Sequence, residues 1–98
     1  MSKWSVYLIR TRFGTLYAGM ATDVERRLVE HSQGGHRGSK YLRSRGPLEL
    51  VYQVELGGRA LACRAECRIK LLTKRKKEEI VSAGLTARAL LAFLGLSS

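Results

Sequence analysis

Three residues, Arg12, Phe13 and Gly14, separate two stretches in which apolar and polar side chains alternate, and this short interruption constrains the chain more than any other feature. In residues 4–11, Trp4, Val6 and Leu8 fall on one side and Tyr7 and Ile9 on the other, the period of a β-strand, and residues 16–20 repeat it. A three-residue loop, built as a type I turn followed by Gly14 in the left-handed region, pairs Thr11 with Thr15, Ile9 with Tyr17 and Tyr7 with Gly19. Opposed residues of an antiparallel ladder share a face, so this register points Tyr7 and Tyr17 the same way. A two-residue loop at Phe13 and Gly14 would point them apart, so the turn decides whether the two phenols can cooperate.

Thr22 as N-cap with Glu25 three positions on forms a capping box and predicts a helix carrying Val24, Leu28 and His31 at helical spacing. Arg27 and His31 share one side of it, and Gly34 and Gly35 end it. Residues 32–47 are rich in Gly, Ser and basic side chains, among them His36, Arg37, Lys40, Arg43 and Arg45, and read as a surface loop. Leu48, Leu50, Tyr52, Val54 and Leu56 then alternate with Glu49, Val51, Gln53 and Glu55, a third strand with its apolar set on one face. After Gly57 and Gly58, one long helix is predicted over residues 59–82, with Leu61, Ala65, Ile69 and Leu72 inward and Lys74, Arg75, Lys76 and Lys77 outward. Gly84 breaks it. A last helix over about 86–96, capped by Thr86 and carrying Leu90, Leu91 and Leu94, covers the sheet. The order β-β-α-β-α-α predicts an α+β fold, a small three-stranded sheet that begins with an antiparallel hairpin and is flanked by helices. At 98 residues there is room for one domain, spanning 1–98 with its core in about 4–82.

The charge balance bears on partners. Eighteen Lys and Arg against eight Asp and Glu leave a net +10, an excess that repels itself and favours a polyanion. Nucleic acid is the expected partner, because no apolar run approaches the roughly 20 residues needed to span a bilayer. No signal peptide is read at the start, which predicts a cytoplasmic protein with reduced Cys63 and Cys67. Those two cysteines lie four apart on one helix but do not complete a zinc spacing with His31 and His36, so they read as buried, inert thiols.

Ser5-Val6-Tyr7 followed by Tyr17-Ala18-Gly19 resembles the paired signature of the GIY-YIG endonuclease family. The resemblance extends downstream: Arg27 falls on the helix after the hairpin, His31 one turn later, and Glu66 on the helix after the third strand, in the order in which the family carries its arginine, its histidine or tyrosine, and its metal-binding glutamate. The overall outline resembles the small stand-alone bacterial members. What the resemblance implies is a phosphodiester hydrolase with catalytic Tyr7, Tyr17, Arg27 and His31, a metal held by Glu66, and Gly19 as a structural part of the motif. The triplets depart from the pattern at Ser5, Val6 and Ala18, and apolar Met20 stands where some DNA-repair members carry a lysine.

The residue chemistry suits that expectation. Hydrolysis of a phosphodiester needs a water to lose its proton and the charge on the phosphoryl oxygens to be neutralised. Arg27 stays charged at any working pH and can clamp a phosphate in two places. Glu66 is a carboxylate beside the apolar stripe with Arg64, Arg68 and Lys70 around it, and one carboxylate with waters and a substrate phosphate suffices for Mg2+, or for Mn2+ in its place. Tyr7 or Tyr17 can serve as base only with its pKa lowered from about 10, while His31 titrates nearer neutrality. Lys40, Arg43, Arg45, Lys74, Arg75, Lys76 and Lys77 are the expected contacts to nucleic acid, DNA in preference to RNA. With no appended reading domain, selection by shape is expected over selection by sequence. Three readings stand beside the enzyme: a non-catalytic basic nucleic-acid-binding module that keeps the fold, for which Met20 and the loose triplets speak; an accessory protein whose basic face docks an acidic partner; and, for the residues, two strand tyrosines and a structural Arg27–Glu66 ion pair.

Overall fold

The computed structural model describes residues 3–33 and 46–96. Strand β1 (Trp4–Arg10) and strand β2 (Leu16–Ala21) form the expected hairpin, with Ile9 opposite Tyr17 and Tyr7 opposite Gly19. The loop has three residues: the Thr11 amide donates to the Thr15 carbonyl at 3.0 Å, the Gly14 amide to the Thr11 carbonyl at 2.9 Å, and Gly14 takes φ 83°, which a side chain would strain. Strand β3 (Glu49–Gly57) lies on the other side of β1, giving an antiparallel sheet of order β2-β1-β3 with β2 at an edge.

The apolar residues of β3 do not all share a face. Leu8 stands opposite Tyr52 while Ile9 stands opposite Leu50, so Val51 is an inserted residue and the alternation changes phase there. Tyr52, Val54 and Leu56 pack with Val6 and Leu8, whereas Leu48 and Leu50 pack with Tyr7 and Ile9 on the opposite face. The period-two pattern read straight through a bulge because Val51 is itself apolar.

Helix α1 (Val24–Gln33) covers the Tyr7 and Ile9 face. Its cap is Asp23, not Thr22: Asp23 Oδ1 accepts from the Arg26 amide at 3.1 Å and its carbonyl accepts from the Arg27 amide. Capping one residue later puts Val24 first in the helix, buried beside Tyr7 and Ile9. The other face carries α2 (Arg59–Lys70), α3 (Lys74–Ala83) and α4 (Ala87–Phe93). The single long helix expected over 59–82 is thus two helices. Leu71 and Leu72 close α2 with bonds back to Arg68 and Ile69, and Thr73 accepts from the Lys76 amide to start α3 afresh. Gly84 ends α3 at φ 57° and Thr86 caps α4, as expected.

The inward stripe of α2 is Ala62, Ala65 and Ile69, with Leu72 at its margin. Cys63 and Cys67 project away from that stripe and are exposed, so the expected burial of these thiols does not hold. With Val6, Leu8, Ile80 and Leu90 the stripe makes the larger core. Three polar ties fix the helices over it: Arg10 grips Glu78 of α3 through two 2.7 Å bonds, the Tyr52 hydroxyl donates to the Leu85 carbonyl, and Arg68 donates to the Leu94 carbonyl. The Arg10 hydrogen bonds also hold the Glu78 carboxyl below its ordinary range.

Candidate active site

Tyr7 lies at the centre of β1, and its ring crosses the neighbouring edge strand at Gly19. A Cβ at Gly19 would overlap the Tyr7 hydroxyl and ring, so the missing side chain is what lets the phenol lie there. Tyr7 is only 2% exposed, and its hydroxyl sits 3.2 Å from His31 Nε2 on α1, itself 1% exposed. Tyr17, on the same face of the sheet, meets the His31 ring edge-on with centroids 5.7 Å apart. The shared orientation expected from the turn is therefore realised, and the two tyrosines converge on one histidine.

Arg27 comes from the same helix one turn before His31. Its Nη1 donates to Glu30 Oε1 at 3.0 Å, and its guanidinium also hydrogen-bonds Tyr7. Glu66 approaches from α2, near enough for its charge to act on the Tyr7 phenol; its side chain is 18% exposed and pairs with Lys70 at 3.2 Å. Tyr17, Arg27, His31 and Glu66, drawn from three different elements, thus gather around the Tyr7 phenol. Of the basic neighbours expected around Glu66, Lys70 is the one that pairs with it, whereas Glu30 was not anticipated, although its i,i+3 spacing to Arg27 carries the signal.

The electrostatics follow from burial. Loss of water pushes Tyr7 up to about 12, with Tyr17 and Glu66 adding to the effect and Arg27 opposing it, so at neutral pH the phenol keeps its proton. Burial and then the Arg27 charge lower His31 from its ordinary value, with Glu30 opposing, so the imidazole is neutral there. Desolvation works against the Arg27 charge, yet its interactions with Glu30 and Tyr7 outweigh that and raise its pKa. A neutral imidazole beside a protonated phenol, with a guanidinium donating to the phenol oxygen, is an arrangement through which one proton can pass.

The basic residues split. Lys40, Arg43 and Arg45 lie outside the described residues. Lys74, Arg75, Lys76 and Lys77 fill the first turn of α3 but diverge: Lys74 and Lys77 line a cavity with Thr15 and Leu16 at the hairpin end of β2, Lys76 lies 5.6 Å over the Phe93 ring, and Arg75 lies with Glu78 and Glu79. Cations there face the positive end of the α3 dipole, a placement that costs stability unless an anion is bound. Met20 lies on the opposite face of the sheet from Tyr7 and packs against the larger core. Among the described residues no three His, Cys, Asp or Glu side chains cluster as a metal site, so Glu66 would meet an ion as a single carboxylate.

Comparison with known proteins decides the family. The model of the GIY-YIG catalytic domain matches residues 3–79, from the start of β1 into α3. The chain belongs to the GIY-YIG family. Nucleic acid is the substrate that this nuclease family implies. The chain is similar to UPF0213 protein YhbQ of Escherichia coli strain K12, with 49% identity over 94 residues covering 96% of this chain and 92% of that one. A YhbQ from E. coli O1:K1 is 48% identical over the same coverage. The solution NMR structure of UPF0213 protein BH0048 from Bacillus halodurans is 35% identical and covers 97% of this chain and 99% of that chain, with a TM-score of 0.55. The GIY-YIG match covers every candidate site residue and ends within α3, whereas α4 lies beyond it. Among the described residues no helix is long and apolar enough to cross a membrane.

Proposed function

We propose that this GIY-YIG protein is a divalent-metal-dependent endonuclease that hydrolyses phosphodiester bonds in nucleic acid, DNA in preference to RNA, with little sequence specificity. The observation that carries the reading is the buried hydrogen bond between Tyr7 and His31, held over Gly19 with Arg27 and Glu66 acting on the same phenol. A buried Tyr-His pair with two charged neighbours at an open sheet edge is more than a strand needs for stability.

The residues divide the chemistry among them. Arg27 binds a phosphoryl oxygen and offsets the charge that builds there as the phosphorus becomes five-coordinate. As a water attacks, its proton passes to the Tyr7 oxygen while the Tyr7 proton passes to His31 Nε2, so no free phenolate at a pKa of about 12 is required. Tyr17 holds the imidazole ring in place from its edge. Glu66 fits a hard divalent ion: it is a partly exposed carboxylate at the sheet edge, and Mg2+ or Mn2+ is commonly held by one or two carboxylates plus waters and substrate phosphates. When bound, such an ion supplies Lewis-acid stabilisation of the leaving oxygen. Lys74 and Lys77 grip the backbone at the hairpin end of the same edge, and backbone contacts position without reading sequence.

The test is incubation of the purified protein with supercoiled plasmid, single-stranded DNA, branched DNA and RNA, with Mg2+ or Mn2+ and then with chelator. Cleavage should require the ion, and Glu66→Ala and Tyr7→Phe should each lower it, the former by roughly 100-fold or more because it removes the carboxylate that holds the charge-stabilising ion, the latter because it removes the hydroxyl that relays the proton. Binding without cleavage, unchanged by either substitution, would replace the enzyme with a binding module. Cleavage that survives Glu66→Ala would move the site elsewhere.

A further inference from the structure

A cavity of about 270 Å3 opens at the Ala21 end of the β2 edge, beyond the proposed site and opposite in direction from the lysines of α3. Its wall is apolar on one side, made by Trp4 and Met20, and polar on the other, made by Thr22, Asp23, Arg26 and Glu30. Arg27 lines it too, and so stands between the cavity and Tyr7.

The charge of this cavity sets it apart. The chain as a whole carries +10, yet here two arginines face two carboxylates, and Arg26 and Arg27 both engage Glu30, at 3.6 and 3.0 Å. Asp23 and Glu30 would repel a phosphate. They would accept from the exocyclic amino groups of a base, while Arg26 and the Thr22 hydroxyl can donate to its ring carbonyls. Trp4 supplies an aromatic surface, and the Arg59 guanidinium, 5.5 Å from its centroid, holds that ring from outside the cavity lining. The volume is just under the ~300 Å3 at which pockets for drug-sized ligands begin, which is room for one planar ring system and not for several.

We propose that this pocket takes one unpaired nucleobase of the strand whose phosphate lies at Arg27. The inference rests on the nucleic-acid reading above and adds to it a division along the edge of β2. Bases are held at the Trp4 end. Phosphates are held at the Lys74 and Lys77 end, with Arg27 and Glu66 between them.

Trp4 is the one tryptophan in the chain, so its emission reports on the pocket directly. In chelator, to prevent cutting, the protein is titrated with a single-stranded DNA octamer and with the same backbone made wholly abasic, and affinity is measured alongside Trp4 fluorescence. The intact octamer should quench Trp4 and bind about tenfold more tightly than the abasic one, as expected for one stacked base. Substitution of Trp4 would disturb the core it packs on, so the variant is Thr22→Phe, which fills the pocket from an exposed rim position. It should bind the intact octamer only as well as native protein binds the abasic one. Equal affinity of native protein for the two octamers, absence of quenching, or a Thr22→Phe protein that still prefers bases would overturn the pocket while leaving backbone binding in place. Failure of native protein to bind either octamer would overturn the nucleic-acid reading and the pocket with it.

Discussion

The two faces of the sheet are built from the same three strands and are put to different uses. On one, Val6, Leu8, Ala62, Ala65, Ile69, Ile80 and Leu90 pack at zero exposure, with polar groups confined to the margins. On the other, Ile9, Val24, Leu28 and Leu50 surround a buried tyrosine and a buried histidine that satisfy each other. Burying a polar pair contributes little net stability compared with burying aliphatic groups, and a half-satisfied pair is costly. A 98-residue chain has little stability to spare, so the contrast argues that the larger face carries the fold, and it supports the proposal that the smaller one carries the chemistry.

The contrast breaks first in the aliphatic face. Ile69→Ala removes a fully buried side chain and should cost about 2–5 kcal/mol in denaturant unfolding. Cleavage per folded molecule should stay unchanged. Gly19→Ala comes next. Its new methyl meets the Tyr7 ring and hydroxyl, so either Tyr7 moves or the strands part, at about 1–3 kcal/mol. Here cleavage should be lost even where the protein remains folded, which the Ile69 variant will not show. Tyr7→Phe keeps the ring and takes the hydroxyl away from buried His31 Nε2, which should cost about 1–3 kcal/mol at most. It should also delete one late-titrating phenol: burial pushes Tyr7 and Tyr52 up to about 12, and alkaline titration of phenolate absorbance should show one such group in the variant where native protein shows both.

How much of this was legible depends on whether the deciding contact is local. The hairpin register followed from three residues and a glycine, and with it the shared face of Tyr7 and Tyr17. The caps at Thr86 and the stop at Gly84 were equally local. The break between α2 and α3 was hidden, because Thr73 sits in a run of good helix formers and acts as a cap only once Leu71 and Leu72 have turned. The bulge at Val51 was hidden because an apolar insertion leaves the hydrophobic pattern intact on both sides of it. In the site, Arg27, His31 and Glu66 were found by resemblance to a family, and their spacing alone gave no reason for them to meet. The reason Gly19 must be glycine lies in a ring 12 residues away. That the pair Tyr7 and His31 is buried, and not a wet surface pair, needed the packing of α1 on the sheet.

The finest test of the contrast is pH. Burial and the Arg27 charge hold the folded His31 pKa below its ordinary 6.5, whereas in the unfolded chain it returns to that value. As pH falls through 6.5 the unfolded state therefore binds a proton that the folded state refuses, and stability declines until the folded pKa is reached, below which this group contributes no further slope. Above 6.5 both states are neutral and the contribution is constant. His31→Gln should flatten that acid limb, measured as unfolding midpoint against pH, while Ile69→Ala should lower the whole curve without changing its shape there. If His31 also takes the proton during cleavage, the rate at saturating substrate in native protein should hold through 6.5 and fall only as pH drops through the lowered folded pKa, where the stability slope ends, since a protonated imidazole cannot accept from Tyr7. An acid limb in stability that His31→Gln leaves unaltered would mean the histidine is not the buried neutral base described, and the distinction between the two faces would rest on Tyr7 and Gly19 alone.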